Sequence, residues 1–149
     1  MTKLRITPDG CFIFAIALSL FVNATVPLWK FIPYPYSLLG ILPIVVGTLL
    51  VYVTQFILMK KKTSIKPFER PAVLLTSGPF KWSRNPIYGG MTLMLLGLVT
   101  MLGSLSPFVF PFLFAVFIHR CIIPAEEQRM EKQFGQQYLN YKAAVRRWI

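Results

Sequence analysis

A thirteen-residue stretch, 78–90, concentrates side chains that can bind a polar ligand. It reads Gly-Pro-Phe-Lys-Trp-Ser-Arg-Asn-Pro-Ile-Tyr-Gly-Gly and lies between a basic linker and a long apolar run. Pro86 biases Asn85 away from helical backbone, and the glycines interrupt regular structure. Irregular backbone near a membrane usually lines a polar cavity, because its free N–H and C=O groups need partners. We therefore predict that 78–90 forms one wall of a ligand site.

Carboxylates and cations that could complete such a site lie near the C-terminus. Glu126 and Glu127 follow Pro124, a good helix start, and Arg146 and Arg147 come close to the end of the chain. Neighbouring positions on a helix diverge by about 100°. The pattern therefore predicts that at most one of the two glutamates points into a site.

The composition indicates an integral membrane protein. The chain has 149 residues, enough for a single domain over 1–149, and 55% of them are apolar. Charged residues make up only 14%, against about 25% in soluble domains. The net charge of +11 suggests nucleic acid as a partner, but the cations flank the apolar runs instead of forming a separate basic face. We predict the bilayer as the partner, no nucleic acid, and no metal site, because the two cysteines belong to no ligand motif.

Four apolar segments predict the fold class, an all-α integral membrane protein with four transmembrane helices. The last two segments are short and are joined by a tight turn, which predicts a C-terminal helical hairpin. A following segment with apolar residues at helical spacing predicts an amphipathic helix on the cytoplasmic membrane surface. The predicted spans are 10–29, 37–59, 88–103 and 108–123, and the amphipathic helix is 124–147.

The distribution of cations predicts the orientation of these spans. Four spans place both termini on one side, and fifteen of the sixteen Lys and Arg residues fall on that side, leaving only Lys30 opposite. Cytoplasmic loops carry such an excess of positive charge. The termini and the polar motifs are therefore expected to face the cytoplasm, most simply across a prokaryotic inner membrane.

Three motifs together resemble the isoprenylcysteine carboxyl methyltransferase family, which is related to the phospholipid methyltransferases. They are Gly-Pro-Phe-x-x-Ser-Arg-Asn-Pro-x-Tyr-x-Gly, then Pro-x-Glu-Glu followed by Phe-Gly-x-x-Tyr-x-x-Tyr, and finally Val-Arg-Arg-Trp. The resemblance covers roughly 76–149 and is to small prokaryotic members. One position departs from the pattern, since the family usually has Arg-His-Pro where this chain has Asn85. Asn can donate and accept hydrogen bonds as neutral His does, but it cannot ionise near neutral pH.

The resemblance implies S-adenosylmethionine as cofactor and a lipophilic small molecule or lipid as methyl acceptor. It implies that Arg147 holds an anionic acceptor and that a glutamate, Glu127 or Glu126, pairs with the ammonium group of the cofactor. Arg147 and Glu127 are then the expected catalytic residues. The expected cofactor-binding residues are Arg84, Asn85, Pro86, Tyr88, Gly89, Glu126, Glu127 and Tyr138.

Several alternatives stay open at the level of sequence. The acceptor is an isoprenylcysteine-type carboxylate, a lipid amine or a small thiol, and the oligomeric state is not indicated. A related membrane reductase of the sterol-reductase type would use a nicotinamide cofactor. A small transporter needs an ionisable residue within a span, and no acidic residue lies in one here. A non-enzymatic scaffold is the remaining alternative. In it, Arg84 anchors the chain at the interface, Tyr138 and Tyr141 only pack, and His119 caps the fourth span.

Overall fold

The computed structural model describes residues 7–61 and 73–148. In this part of the chain the structure is helical, and the only β-type pairing is an isolated bridge between Lys30 and Ser104. The cations that the charge argument assigns to 1–6 and 62–72 lie outside the described residues. The α-helices are α1 (Pro8–Thr25), α2 (Ile41–Lys60), α3 (Pro86–Leu102), α4 (Val109–Phe117), α5 (Ile123–Phe134) and α6 (Gln136–Ala144).

Three helical segments of the described chain are long and apolar enough to cross a membrane. They are Pro8–Thr25, Tyr36–Lys60 and Ser106–Phe134, and α3 is a shorter apolar helix of 17 residues. Most large apolar side chains on α1, α2 and α4 are exposed, as expected for surfaces that face lipid. The protein is thus an all-α integral membrane protein, and each predicted span falls largely on a helix.

Close packing of α2 against α3 depends on glycine pairs. A Cβ added to Gly47 would lie 2.5 Å from the carbonyl oxygen of Gly90, and one added to Gly90 would lie 2.7 Å from that of Gly47. Gly40 and Gly97 face each other in the same way, two helical turns along. Small residues at such positions let two membrane helices approach until their backbones touch. This contact fixes the position of the N-terminal end of α3, where the 78–90 stretch ends.

The two connections at the opposite end of the bundle bind each other through the backbone. The N–H groups of Phe31 and Ile32 donate to the carbonyl oxygen of Gly103, at 3.1 and 3.2 Å, and the Leu105 N–H donates to that of Leu28 at 3.0 Å. Gly103 has a φ of 74°, which ends α3 in a left-handed turn. The helices are therefore antiparallel neighbours, with the beginning of α1 and of α3 at the same end as α5.

The structure corrects the predicted boundaries at 108–123 and 124–147. The helix does not restart at Pro124: α4 continues through a π-helical turn (Ile118–Ile122) directly into α5. Proline cannot donate an N–H to the preceding turn, and a wide turn just before it accommodates that loss. The predicted helix 124–147 is instead two helices, because Gly135 has φ 53° and ψ −127° and separates α5 from α6. Close packing does not explain Gly135, since a Cβ there would meet nothing within 4 Å.

Candidate functional site

Arg84, Glu127 and Arg147 form a buried cluster, here called the arginine–glutamate cluster, at the N-terminal end of α3. Nη1 of Arg84 lies 2.9 Å from Oε1 of Glu127. The guanidinium of Arg147 binds the same carboxylate in two places, with Nε 3.0 Å from Oε1 and Nη2 2.7 Å from Oε2. Glu127 is only 5% exposed. Two parallel hydrogen bonds of this kind fix both the position and the orientation of an arginine.

The charges in the arginine–glutamate cluster do not balance. One carboxylate faces two guanidinium groups, and Lys142 lies 3.9 Å from Glu127 while pairing mainly with Glu131. The side chain of Arg84 is 10% exposed, and its Nε is buried without a hydrogen-bond acceptor. A cluster with one excess positive charge and an unused N–H group is suited to binding an anionic group such as a carboxylate.

The neighbouring carboxylate, Glu126, contacts α3 directly. The hydroxyl of Tyr88 donates a 2.7 Å hydrogen bond to Oε1 of Glu126. Both glutamates therefore contact the 83–88 region, and that at most one of them points into a ligand site stays a prediction. The reason for the two contacts is geometric: Arg84 lies in the turn before α3 and Tyr88 on the first turn of α3, so together they cover two faces of α5.

The C-terminal segment 145–148 returns to the 78–90 stretch and is held there by three hydrogen bonds. The Arg84 N–H donates to the carbonyl oxygen of Arg146 at 3.0 Å. The carbonyl oxygen of Arg147 accepts from Nδ2 of Asn85 at 2.9 Å and from Oγ of Ser83 at 3.4 Å. Asn85 thus acts as a hydrogen-bond donor, a role that a neutral histidine N–H also fulfils. This chain therefore makes the contact without a histidine at position 85.

Tyr138 and Tyr141 are both buried against the 78–90 stretch. Tyr138 is 3% exposed, and the Tyr141 hydroxyl donates to the carbonyl oxygen of Phe80 at 2.7 Å. Burial, with the Glu127 carboxylate adding to it, raises the pKa of Tyr138. Burial also raises the pKa of Tyr141, to about 12. Both phenols therefore stay neutral at physiological pH and serve as hydrogen-bonding walls.

His119 and Trp148 also lie in this region. The sequence did not predict that they belong to the candidate site. Nε1 of Trp148 donates to Nδ1 of His119 at 3.0 Å, and Nη1 of Arg147 lies 3.3 Å from Nε2. His119 precedes Glu127 by eight residues, which on a regular helix would offset the two by roughly 80°. The π-helical turn between them contains an extra residue and removes most of that offset. The sequence did contain a signal for this contact: a histidine two helical turns before a glutamate, with a proline between them.

The space around the Cα atom of Gly89 is free of other atoms, in contrast to the space around Gly90. A Cβ added to Gly89 would meet nothing within 4 Å, whereas one added to Gly90 would collide with α2. Pro86 is buried at the start of α3 and fixes the direction in which the helix leaves the turn. A ligand can therefore approach the first turn of α3 beside Gly89.

Comparison with known families identifies the family to which this chain belongs. A family model described as phospholipid methyltransferase matches residues 36–137, more than half of the chain. The chain belongs to the phospholipid methyltransferase family. This confirms the resemblance found in the motifs and extends it over α2. The match includes the 78–90 stretch and the glutamate pair, while α1, Tyr138 and Arg147 lie beyond its limits.

A relative from Haemophilus influenzae is 33% identical over 63 residues, which are 42% of this chain and the whole of that protein. It is described only as an uncharacterized protein. No solved structure matches the chain significantly. Membership of the phospholipid methyltransferase family, together with the apolar helices, makes this protein a membrane methyltransferase in general terms.

Proposed function

We propose that this protein transfers a methyl group from S-adenosylmethionine to a lipophilic acceptor at the membrane surface. The observation that carries the proposal is the arginine–glutamate cluster, with its excess positive charge and the unused Nε of Arg84, next to the open backbone at Gly89. Family membership supplies the reaction type, and the donor is the one that such a reaction ordinarily uses.

The residues present fit the proposed cofactor chemically. S-adenosylmethionine would supply a methyl group on a sulfonium: a nucleophile in line with the methyl–sulfur bond would bond to the methyl carbon as that bond breaks, and the neutral thioether would leave. Arg84 would hold the carboxylate of its amino-acid end, and Glu126 or Glu127 its ammonium group. The rings of Tyr88 and Tyr138 would line the adenine or the sulfonium, since aromatic faces attract cations.

The catalytic contribution of the chain consists of alignment and exclusion of water. Glu127 orients both guanidinium groups, so that Arg84 is directed at the cofactor and Arg147 at an anionic acceptor. The segment 145–148 binds Ser83, Arg84 and Asn85 and would keep water away from these three residues. A carboxylate acceptor would need no general base, because it is already ionised at neutral pH.

The acceptor class is an isoprenylcysteine-type carboxylate or a membrane lipid, reached laterally from the bilayer. We further propose that the site faces the cytoplasm, where the cofactor is made, and that the membrane is the inner membrane of a prokaryote. The cationic ends of the helices support this orientation.

Titration of S-adenosylmethionine into the purified protein tests the proposal. We expect saturable heat in calorimetry at a cofactor concentration of about 1 mM or less. Arg84→Ala should lose that heat, while Arg146→Ala, which removes an exposed side chain and keeps the backbone contact, should retain it. No heat and no thermal shift with the wild-type protein would contradict the proposal. A response to a nicotinamide cofactor instead would favour the reductase alternative.

A further inference from the structure

The contact between His119 and the end of the described chain has no part in the function proposed above. Nε1 of Trp148 donates to Nδ1 of His119 at 3.0 Å, and the two rings lie nearly parallel, with an angle of 18° between their planes. His119 lies within a helix that continues from Ser106 to Phe134, so there is no helix end for it to cap. The contact therefore has a different role.

The apolar core holds both rings in place. Ile118 begins the π-helical turn, Ile123 directly follows it, and both side chains are fully buried. Trp148 packs against the apolar cluster to which these two residues belong. The positions of the imidazole and the indole relative to each other are therefore set by packing.

Hydrogen-bond chemistry decides which nitrogen of His119 carries the hydrogen. An indole N–H can only donate, so Nδ1, which faces Trp148, must be the bare acceptor. The hydrogen of the neutral ring is then on Nε2, because the bond at one ring nitrogen sets the state of the other. The contact with Trp148 is therefore specific for the Nε2–H tautomer.

The same tautomer leaves one nitrogen of Arg147 available. Nη1 of Arg147 lies 3.3 Å from Nε2 of His119, and a guanidinium can only donate. Two N–H groups that face each other form no hydrogen bond. Since Nε and Nη2 are the nitrogens that bind Glu127, neither Glu127 nor His119 occupies Nη1.

The other tautomer would bind Arg147 in place of Trp148. With the hydrogen on Nδ1, Nε2 would accept from Nη1, and the indole N–H would face a second donor. The guanidinium would then be held at all three nitrogens, by Glu127 and by His119, and would be less available to a ligand. Trp148 therefore controls how much of Arg147 is free.

The segment 145–148 is held from two sides. The first is the turn before α3, where Asn85 donates to the carbonyl oxygen of Arg147 at 2.9 Å. The second is the π-helical turn, where His119 accepts from Trp148. The bond to Trp148 is the nearer of the two to the end of the described chain, so its loss would release the segment from that end.

We propose that His119 is a positioning residue. In the Nε2–H tautomer it accepts the indole N–H of Trp148, which holds the segment 145–148 against the π-helical turn and keeps Nη1 of Arg147 free to bind a ligand. That this ligand is a methyl acceptor rests on the proposed function; the tautomer and the attachment of the segment do not.

Nitrogen NMR tests the tautomer directly. His119 is the single histidine of the chain, so protein with isotope-labelled histidine, purified without a histidine tag, gives the signals of one imidazole. In mildly alkaline detergent solution we expect Nδ1 at the chemical shift of a bare ring nitrogen and Nε2 at that of a nitrogen that carries hydrogen. Trp148→Phe keeps an aromatic ring but removes the donor, and should shift the Nδ1 signal. A hydrogen on Nδ1 in the wild-type protein, or signals that do not respond to Trp148→Phe, would overturn the proposal.

Trypsin tests the attachment of the segment. The peptide bonds after Arg146 and Arg147 are cleavage sites, and cleavage requires the segment to leave its place. His119→Leu should raise the cleavage rate there several-fold, whereas His119→Asn, whose side-chain oxygen takes the place of Nδ1, should keep it near that of the wild type. Arg120→Leu, at an exposed position of the same turn, is the matched control and should also keep it. Equal rates in the wild type and His119→Leu, or equal acceleration in the Leu and Asn variants, would overturn the proposal.

Binding of S-adenosylmethionine separates this proposal from the proposed function. The cofactor is assigned to Arg84 and its neighbours, so His119→Leu should weaken its binding less than Arg84→Ala does. The reverse order would make His119 part of the cofactor site and would overturn the positioning role. If the wild-type protein binds no S-adenosylmethionine, the proposed function fails, while the NMR and trypsin measurements still decide the role of His119. If the cofactor binds and His119 does not hold the segment, only the positioning role fails.

Discussion

At the scale of single residues, Glu127 connects the parts of the candidate site. It is 5% exposed and binds one arginine from the turn before α3 and another from the C-terminal segment. The hydrogen bond to Glu127 raises the pKa of Arg147 further above its ordinary value, so Arg147 stays cationic at any physiological pH. Removing one partner of a buried ion pair leaves the other charge buried and uncompensated, which lowers the stability strongly.

The substitution Glu127→Gln should therefore lower the stability of the protein by about 3 kcal/mol, because two guanidinium groups lose the carboxylate that both of them bind. The measurement is the midpoint of thermal unfolding in detergent. The matched control is Glu131→Gln, which breaks a pair with Lys142 whose two side chains are 34% and 37% exposed. That change should cost about 1 kcal/mol or less. Equal losses in the two variants would mean that Glu127 is not a central contact.

Asn85 offers a test of its role as a hydrogen-bond donor to the Arg147 carbonyl oxygen. Asn85→His supplies a ring N–H and should keep both stability and S-adenosylmethionine binding close to wild type. Asn85→Asp replaces the donor with a carboxylate oxygen and should cost about 2 kcal/mol, because two acceptors then face each other. Thermal unfolding and calorimetry measure the two effects. A stable Asp variant beside an unstable His variant would exclude the donor role.

At the scale of elements, the glycine pairs on α2 and α3 matter more than the apolar character of those helices. Lipid tails are as apolar as Leu or Val, so burial of apolar surface gives membrane helices little reason to associate. Contact of the two backbones at Gly47 and Gly90 provides dispersion attraction that larger residues would prevent. Because α3 begins at the candidate site, any displacement of α3 along α2 also moves Tyr88 and Gly89.

Gly47→Ala should destabilise the α2–α3 contact by about 2 kcal/mol, since the added methyl group meets the Gly90 carbonyl. Gly89→Ala is the matched change on the open face of α3. It should leave the free energy of unfolding unchanged or raise it by up to about 1 kcal/mol, because Ala has a higher helix propensity than Gly. The unfolding temperature should follow. If the cofactor approaches the backbone beside Gly89, the same variant should bind S-adenosylmethionine more weakly. A large loss of stability in Gly89→Ala would contradict the helix packing described above.

At the scale of the whole molecule, the antiparallel arrangement separates a polar end from a nearly uncharged end. The described cations Lys60, Lys61, Arg84 and Arg147 lie at the end that carries the candidate site, and Lys30 lies at the other, bridged to Ser104. Such asymmetry orients a membrane protein during insertion.

Labelling of single cysteines in intact cells should therefore distinguish the two ends. In a Cys11→Ser, Cys121→Ser background, a membrane-impermeant maleimide should label Lys30→Cys without lysis, because that position is exposed and lies on the outer side in the proposed orientation. Lys61→Cys should react only after the cells are opened. The opposite pattern would place the site on the outer side and would remove access to a cytoplasmic cofactor.

Much of this molecule could be predicted from local patterns in the chain. Apolar runs identify spans without knowledge of their neighbours, because each helix satisfies its own backbone hydrogen bonds in lipid. The motifs around Arg84 and Glu127 were enough to indicate the methyltransferase family. The boundaries near Pro124 and Gly135 could not be predicted in the same way, since a proline can either start a helix or widen a turn within one.

The sequence by itself determined the class, the helical segments and the family, because composition and short motifs carry that information. Only the tertiary structure decided which side chains meet in the 78–90 region. The contact between Asn85 and Arg147 joins residues 62 positions apart, and that between Tyr88 and Glu126 joins residues 38 apart. Such contacts depend on how deeply α3 packs against α2 and on where the C-terminal segment turns back. The physical reason is that helix periodicity fixes directions within one element, whereas distances between elements are fixed by packing.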